Sequence, residues 1–289
     1  MNCRKSRLNC QKCGFNAVGG TTYAPPMSLS AEEITAAGLH FDIADAVATV
    51  TLSRPEVRNA QTPAMWQALA AVGEQLPETT RVVVVRGAGQ SFSAGLDRAM
   101  LDPATGDVAR LLELDDAAIS AAIDGYQRGF TWLRDPRFVS IAAVQGHAIG
   151  AGFQLALSCD LRVVSQDVQF SMKEPALGLV PDLTGTKPLV EAVGYQRALE
   201  ICATARVVGA DEAVVIGLAL TAVPVDRLDA TVADLAQALT ANVAGAVVET
   251  KALLQSASDQ DLETQRRLER EAQVRRFREL AALMQQSQE

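Results

Sequence analysis

Cysteine is scarce in this chain of 289 residues: Cys3, Cys10, Cys13, Cys159 and Cys202 are the only five. An odd count without framework spacing argues against a disulfide scaffold and fits a reducing compartment, so a cytoplasmic protein is expected. Cys10 and Cys13 form a C-x-x-C pair with Cys3 upstream. A structural zinc site takes four ligands, however, and no fourth lies nearby. Histidine is scarcer still. His40 and His147 are too few and too far apart for a histidine-rich metal site, so no metal is expected. No uninterrupted apolar run of about 18 residues occurs; no transmembrane helix is read, and no membrane partner is expected. Basic charge is not in excess: 26 Lys and Arg stand against 34 Asp and Glu, a net charge of −8. That balance argues against a nucleic-acid binder, which needs a basic footprint. It leaves room for a small anionic ligand held by a few local arginines. The chain has no G-x-S-x-G elbow and no G-K-[ST] phosphate loop. "GAGFQL" carries Leu155 where a dinucleotide fingerprint has its third small residue.

What is present is apolar material for a large core, 48% hydrophobic against 21% charged, which argues against global disorder. The head is basic and unpatterned as far as Pro25 and Pro26 and lacks the apolar centre of a secretory signal. Residues 1–28 are expected to be a disordered extension, or to precede an alternative start at Met27. "AVATVTLSRP" (46–55) alternates and stops at Arg-Pro, as a strand does. A helix is predicted over 59–76, with Thr62 as N-cap, Pro63 in its first turn and Met65, Leu69, Val72 and Leu76 on one face. "RVVVVRGAG" (81–89) and "FVSIAAVQG" (138–146) read as buried strands, and "LRVVS" and "VQFSM" as shorter ones. The stretch 107–134 reads as one helix, and from residue 189 onward the chain reads as mostly helical. In the last, highly charged helix, Val274, Phe277, Ala281 and Met284 form an apolar stripe. It suits packing against the same chain, or a contact with a neighbouring subunit or a ligand phosphate. Strands alternating with helices, then helices alone, give an α/β core with a helical C-terminal part.

Two stretches repeat one design. "VVVVRGAGQSFSAGLD" and "IAAVQGHAIGAGFQL" both run from buried strand through a small-residue turn into a predicted helix. Helix starts leave amide N–H groups unpaired. Two such turns side by side could aim two donors at one oxygen, an oxyanion hole. Glu174 and Asp182 lie in an apolar neighbourhood, "FSMKEPALGLVPDLTGTKPLVEAVG" (170–194). Either their carboxyl pKa values rise toward acid–base use, or they pair with Lys173 or Lys187. His147, beside a strand end, reads as a packed or turn histidine.

Together these stretches resemble the crotonase (enoyl-CoA hydratase/isomerase) superfamily, from about residue 41 to about residue 225. "LSRPEVRNA" resembles its adenine-side segment, "GAGQSFSAGLD" its first oxyanion loop, and "IAAVQGHAIGAGFQLALSCDLRVVS" its signature helix. "KEPALGLVPDLTGT" resembles its second catalytic segment and "GADEAVVIGLA" its downstream helix. The resemblance implies an α/β, crotonase-like spiral of repeated ββα units over 29–195, followed by a helical oligomerisation region over 196–289. It implies a homotrimer or hexamer and an acyl-CoA thioester as substrate, coenzyme A being part of that substrate rather than a separate cofactor. Its carbonyl would sit between the amides of Ala94 and Ala151. Arg54, Arg58 and Arg98, with the backbone near Ala60, would meet the CoA moiety. Met100–Ile119 would wall the acyl group.

Position 154 matches one of the two carboxylates of the family's hydratases, and here it is glutamine; Glu174 matches the other. Gln154 can hydrogen-bond a water but cannot take its proton at neutral pH. Asp182 falls where members that shift double bonds carry an extra acid. The resemblance therefore implies an enzyme that stabilises a thioester enolate, with double-bond isomerisation favoured over hydration. The alternative is a non-catalytic acyl-CoA-binding homologue.

Overall fold

Four consecutive valines explain the centre of the molecule. Val82 and Val84 point to one face of a sheet, into a cluster with Ile141, Ala143, Val163 and the helix residues Leu228, Val232 and Ala236. Val83 and Val85 point to the other face, into the main core. A strand covered on both sides needs apolar residues at every position, which is why this stretch does not alternate. The computed structural model describes residues 29–286; the head 1–28, with Cys3, Cys10 and Cys13, lies outside the described residues.

Among the described residues, nine strands form two sheets. β1 (Leu39–Ala44), β2 (Val47–Leu52), β3 (Val82–Gly87), β4 (Val139–Val144), β6 (Leu161–Ser165) and β9 (Thr221–Val223) make the larger one, in the order β1-β2-β3-β4-β6-β9. Only β1 runs antiparallel to its neighbour. β5 (His147–Ile149), β7 (Gln169–Ser171) and β8 (Val208–Gly209) make the smaller one. After β3 the chain reaches Ser93, which bridges Ala148 of β5 in parallel. After β4 it forms β5, and after β6 it forms β7. Each of three turns thus lays one segment in the large sheet and the next beside the small one, the spiral expected from the sequence.

α1 (Ala31–Ala36) precedes β1, and helices fill the crossovers: α2 (Pro63–Gln75), α3 (Asp107–Leu111), α4 (Asp116–Thr131), α5 (Ala151–Ser158), α6 (Thr186–Val193), α7 (Tyr195–Thr204) and α8 (Ala210–Val215). In α2 the Thr62 hydroxyl accepts from the Met65 amide at 3.3 Å, and Met65, Leu69, Val72 and Leu76 are all buried, as their spacing predicts. The predicted single helix over 107–134 is two helices and a 3₁₀ turn. Asp115 ends the continuity because its carboxylate accepts from the Ala118 amide and starts α4 afresh. α5 is buried at all eight residues.

α9 (Leu228–Ala241) covers the large sheet, and α10 (Ala244–Ser256) and α11 (Leu262–Gln286) follow. Lys251 of α10 is buried and ties the helical part to the core. Its Nζ donates to the carbonyls of Asp135 and Phe138 at 2.6 and 2.7 Å and to Asp160 at 2.7 Å. α11 turns Ala272 and Arg276 inward, and Gly245 of α10 leaves the room the Arg276 guanidinium occupies. The predicted stripe is not the packed side: Val274, Phe277, Ala281 and Met284 are exposed in the single chain.

Candidate active site

The bridge between Ser93 and Ala148 sets the site. A parallel register advances both segments together, so three residues on, Leu96 comes level with Ala151, the first residue of α5. Gly95 makes the approach possible. It has φ +87°, and a Cβ there would stand 2.4 Å from the Ile149 carbonyl oxygen and 3.4 Å from the Ala151 nitrogen. The Gly95 carbonyl accepts from the Gln61 amide, and the Asp97 amide donates to the Gln61 carbonyl. Leu96, between them, directs its own amide the other way. Among the described residues neither the Leu96 nor the Ala151 amide has an acceptor. Both residues line a cavity of about 910 Å³.

Ala94 is a correction. It borders the cavity, but its amide donates to the Arg58 carbonyl at 2.8 Å and is not free for a ligand. The amide on this turn that has no acceptor among the described residues is that of Leu96, two residues further on. The run "SAGLD" shows that a turn exists; which amide it frees depends on the contact with Gln61, more than thirty residues away in sequence.

Glu174 opens a 3₁₀ turn, Glu174–Leu177, with Pro175 behind it. It is buried in the cavity wall beside Gly150, whose missing Cβ would lie 3.2 Å from Glu174 Oε1. That oxygen accepts from Gln154 Nε2 at 2.7 Å. The other, Oε2, is buried without a partner among the described residues. Burial pushes the Glu174 carboxyl above the usual carboxylate range, and the Asp182 charge adds to this; the Gln154 hydrogen bond opposes it. Asp182 lines the same cavity, and burial raises its carboxyl too. Neither pairs with a lysine: Lys173 Nζ donates to the Ala205 carbonyl, and Lys187 bridges Glu191 and Asp259.

Gln154 differs from the expectation of a water-holding group. It is fully buried and does not line the cavity. Its Oε1 accepts from the Leu183 amide at 2.9 Å and the Gly185 amide at 3.2 Å, and its Nε2 donates to Glu174. It holds the 183–185 turn and Glu174 in register, standing behind the carboxylate.

The predicted CoA cations divide. Arg58 and Arg98 border the cavity and are exposed. Arg54 does not border it. Its guanidinium donates to the Ala60 carbonyl at 2.8 Å and pairs with Asp97 at 2.9 Å, so it braces the loops. Ala60 is buried beneath that contact and lies outside the cavity lining. Met100, Leu111 and Ile119 from the predicted acyl wall do line the cavity, and so do Ile123 and Tyr126, further along the same face of α4, and Trp66.

A family model described as Enoyl-CoA hydratase/isomerase matches residues 42–284. The chain belongs to that family. Its fold is the crotonase fold of structures such as a candidate enoyl-CoA hydratase from Thermobifida fusca YX, solved in complex with CoA. That structure is 50% identical, has a TM-score of 0.84, and the match covers 89% of this chain and 99% of that one. A second structure of the same description, in complex with acetoacetyl-CoA, is 50% identical with a TM-score of 0.83, covering 88% and 100%. Family members of both named activities are similar to this chain. The human mitochondrial Delta(3,5)-Delta(2,4)-dienoyl-CoA isomerase is 34% identical over 82% of this chain and 72% of its own length. The short-chain-enoyl-CoA hydratase of Clostridium acetobutylicum is 30% identical over 78% and 84%. Matches to the mouse and rat dienoyl-CoA isomerases span about half, 53%, of those proteins' length.

Proposed function

We propose that the cavity takes an acyl-CoA thioester and that the chain moves a double bond along its acyl group. One observation carries this: the buried Glu174 carboxylate faces the cavity with an unpartnered oxygen, while the residue behind it is an amide that holds Glu174 and the 183–185 turn and does not line the cavity. Glu174 takes a proton from the carbon next to the thioester carbonyl. The electron pair moves toward the carbonyl oxygen, where the amides of Leu96 and Ala151 meet the growing negative charge, a contribution of about 3–4 kcal/mol per donor in comparable sites. Glu174, now protonated, returns the proton two carbons further along, and the carbonyl re-forms. A raised carboxyl pKa suits a group that must both take and return a proton near neutrality. Asp182 stands in the same wall as a second acid.

Hydration asks for more, since a water must be held and deprotonated together. Gln154 does not line the cavity and, as an amide, cannot take that water's proton. The similarity to dienoyl-CoA isomerases agrees with this ranking, and the structures solved with CoA and acetoacetyl-CoA support the ligand class. The exposed apolar stripe of α11, with Tyr195 and Leu199 of α7, supports assembly into a homo-oligomer such as a trimer. The test is a panel of 2-enoyl-, 3-enoyl- and dienoyl-CoA esters, with products separated by chromatography and weighed by mass spectrometry. Isomers of unchanged mass, lost in Glu174→Gln while CoA ester binding persists, are expected. A product heavier by one water as the main outcome would reverse the ranking.

A further inference from the structure

His147 is a polar side chain in the cavity wall for which the reaction has no use. It precedes Ile149 by two on β5, so both side chains face the cavity while Ala148 between them is buried in the core. Its Nδ1 is 3.1 Å from the Ser91 hydroxyl, itself buried, and its carbonyl accepts from the Ser93 amide, so ring and backbone are both fixed to one loop. A hydroxyl can donate to Nδ1 as well as accept from it, and the tautomer in which Ser91 donates carries the ring proton on Nε2. No described residue accepts from Nε2.

Position along the strand tells which part of a ligand this donor meets. His147 lies three residues before the turn at Gly150, roughly 10 Å at the rise of an extended strand. Ala94, next to the Ser93 that donates to the His147 carbonyl, donates in turn to the Arg58 carbonyl, so His147 stands on the Arg58 side of Leu96 and Ala151, at a distance that matches the amide and hydroxyl groups of a CoA arm short of its phosphates. Arg58 and Arg98, exposed at the cavity edge, suit the phosphates instead.

We propose that His147, oriented by Ser91, is a binding residue that donates from Nε2 to an oxygen of the pantetheine arm and so sets the position of the thioester. This rests on the acyl-CoA reading of the cavity. The test is calorimetric titration of the full chain with CoA and, separately, with the adenosine bisphosphate that forms the CoA tail without its arm. His147→Ala is expected to weaken CoA binding about five- to tenfold, the size of one net hydrogen bond, and to leave the bisphosphate unchanged. His147→Gln, which keeps an N–H donor, is expected to recover most of the loss, and Ser91→Ala to lose part of it. Unchanged CoA affinity in His147→Ala, or equal weakening of both ligands, overturns the assignment to the arm. Failure of the wild-type chain to bind CoA is a different result: it removes the acyl-CoA reading and this assignment with it.

Discussion

Gln154→Glu converts one hydrogen bond into a repulsion. The new carboxylate keeps the Leu183 and Gly185 amides on one oxygen. Its second oxygen takes the place of Nε2, 2.7 Å from Glu174 Oε1. At an effective dielectric of about 20, two unit charges at that separation repel by about 6 kcal/mol. That is about four pKa units. Rotation of the side chains relieves part of it, and about two units survive as a conservative figure. The pair then shares one proton at neutral pH and titrates as a unit. Glu174 must be ionised to take a proton, so the acid limb of the kcat/KM profile is expected to move up by about two units. At any pH on the acid limb of both profiles the rate should fall about a hundredfold, and it should recover as the pH rises past the shifted limb. Profiles of both proteins from about pH 5 to about pH 10, on an isomerised substrate, measure this. An unmoved limb would refute the contact between residues 154 and 174. A gain of hydration would refute the position of residue 154 behind the carboxylate.

Three further outcomes follow from the same geometry. Glu174 has a raised folded-state pKa, so ionising it costs the folded state stability as pH climbs from about 4.5 through that raised value, and the cost persists above it. Glu174→Gln is therefore expected to be inactive yet to melt about 2–4 °C higher at pH 8, the difference closing toward pH 4 in calorimetric scans. Arg54→Ala should lower the melting temperature through its lost contacts with Asp97 and Ala60, and CoA affinity measured on the folded protein should hold within about twofold. Lys251→Met removes the charge partner of Asp160, which keeps only its Ser140 donors, and the Lys251 donor to two carbonyls, and is expected to cost about 3–5 kcal/mol in urea unfolding, with kcat per folded molecule unchanged.

Much of the fold is written locally. Val82–Val85 and Val139–Val144 declare strands buried on both faces, and Thr62 with Pro63 declares the start of α2. β7 falls within "VQFSM", read as a short strand, but β5 and β8 have three and two residues and carry no periodicity of their own; only pairing makes them strands. The site shows the same division. Glu174 and Asp182 stand out as carboxylates among apolar neighbours, and the structure puts both in one wall. Three features depended on distant partners. Leu96 rather than Ala94 has the free amide because Arg58 and Gln61 occupy the surrounding ones. Arg54 looks like a phosphate ligand until Asp97 is seen beside it. Gln154 marks a missing carboxylate in the sequence, but its direction is set by the turn at 183–185.

The claim that Glu174 is the proton-moving group is tested most directly by isotope exchange. A 3-enoyl-CoA ester is incubated in D2O with the wild-type chain and with Glu174→Gln, and deuterium on the acyl group is followed by mass spectrometry and NMR. The wild type should incorporate deuterium next to the thioester carbonyl and two carbons beyond, and the variant should bind the ester and incorporate none. Undiminished incorporation in the variant would contradict the account.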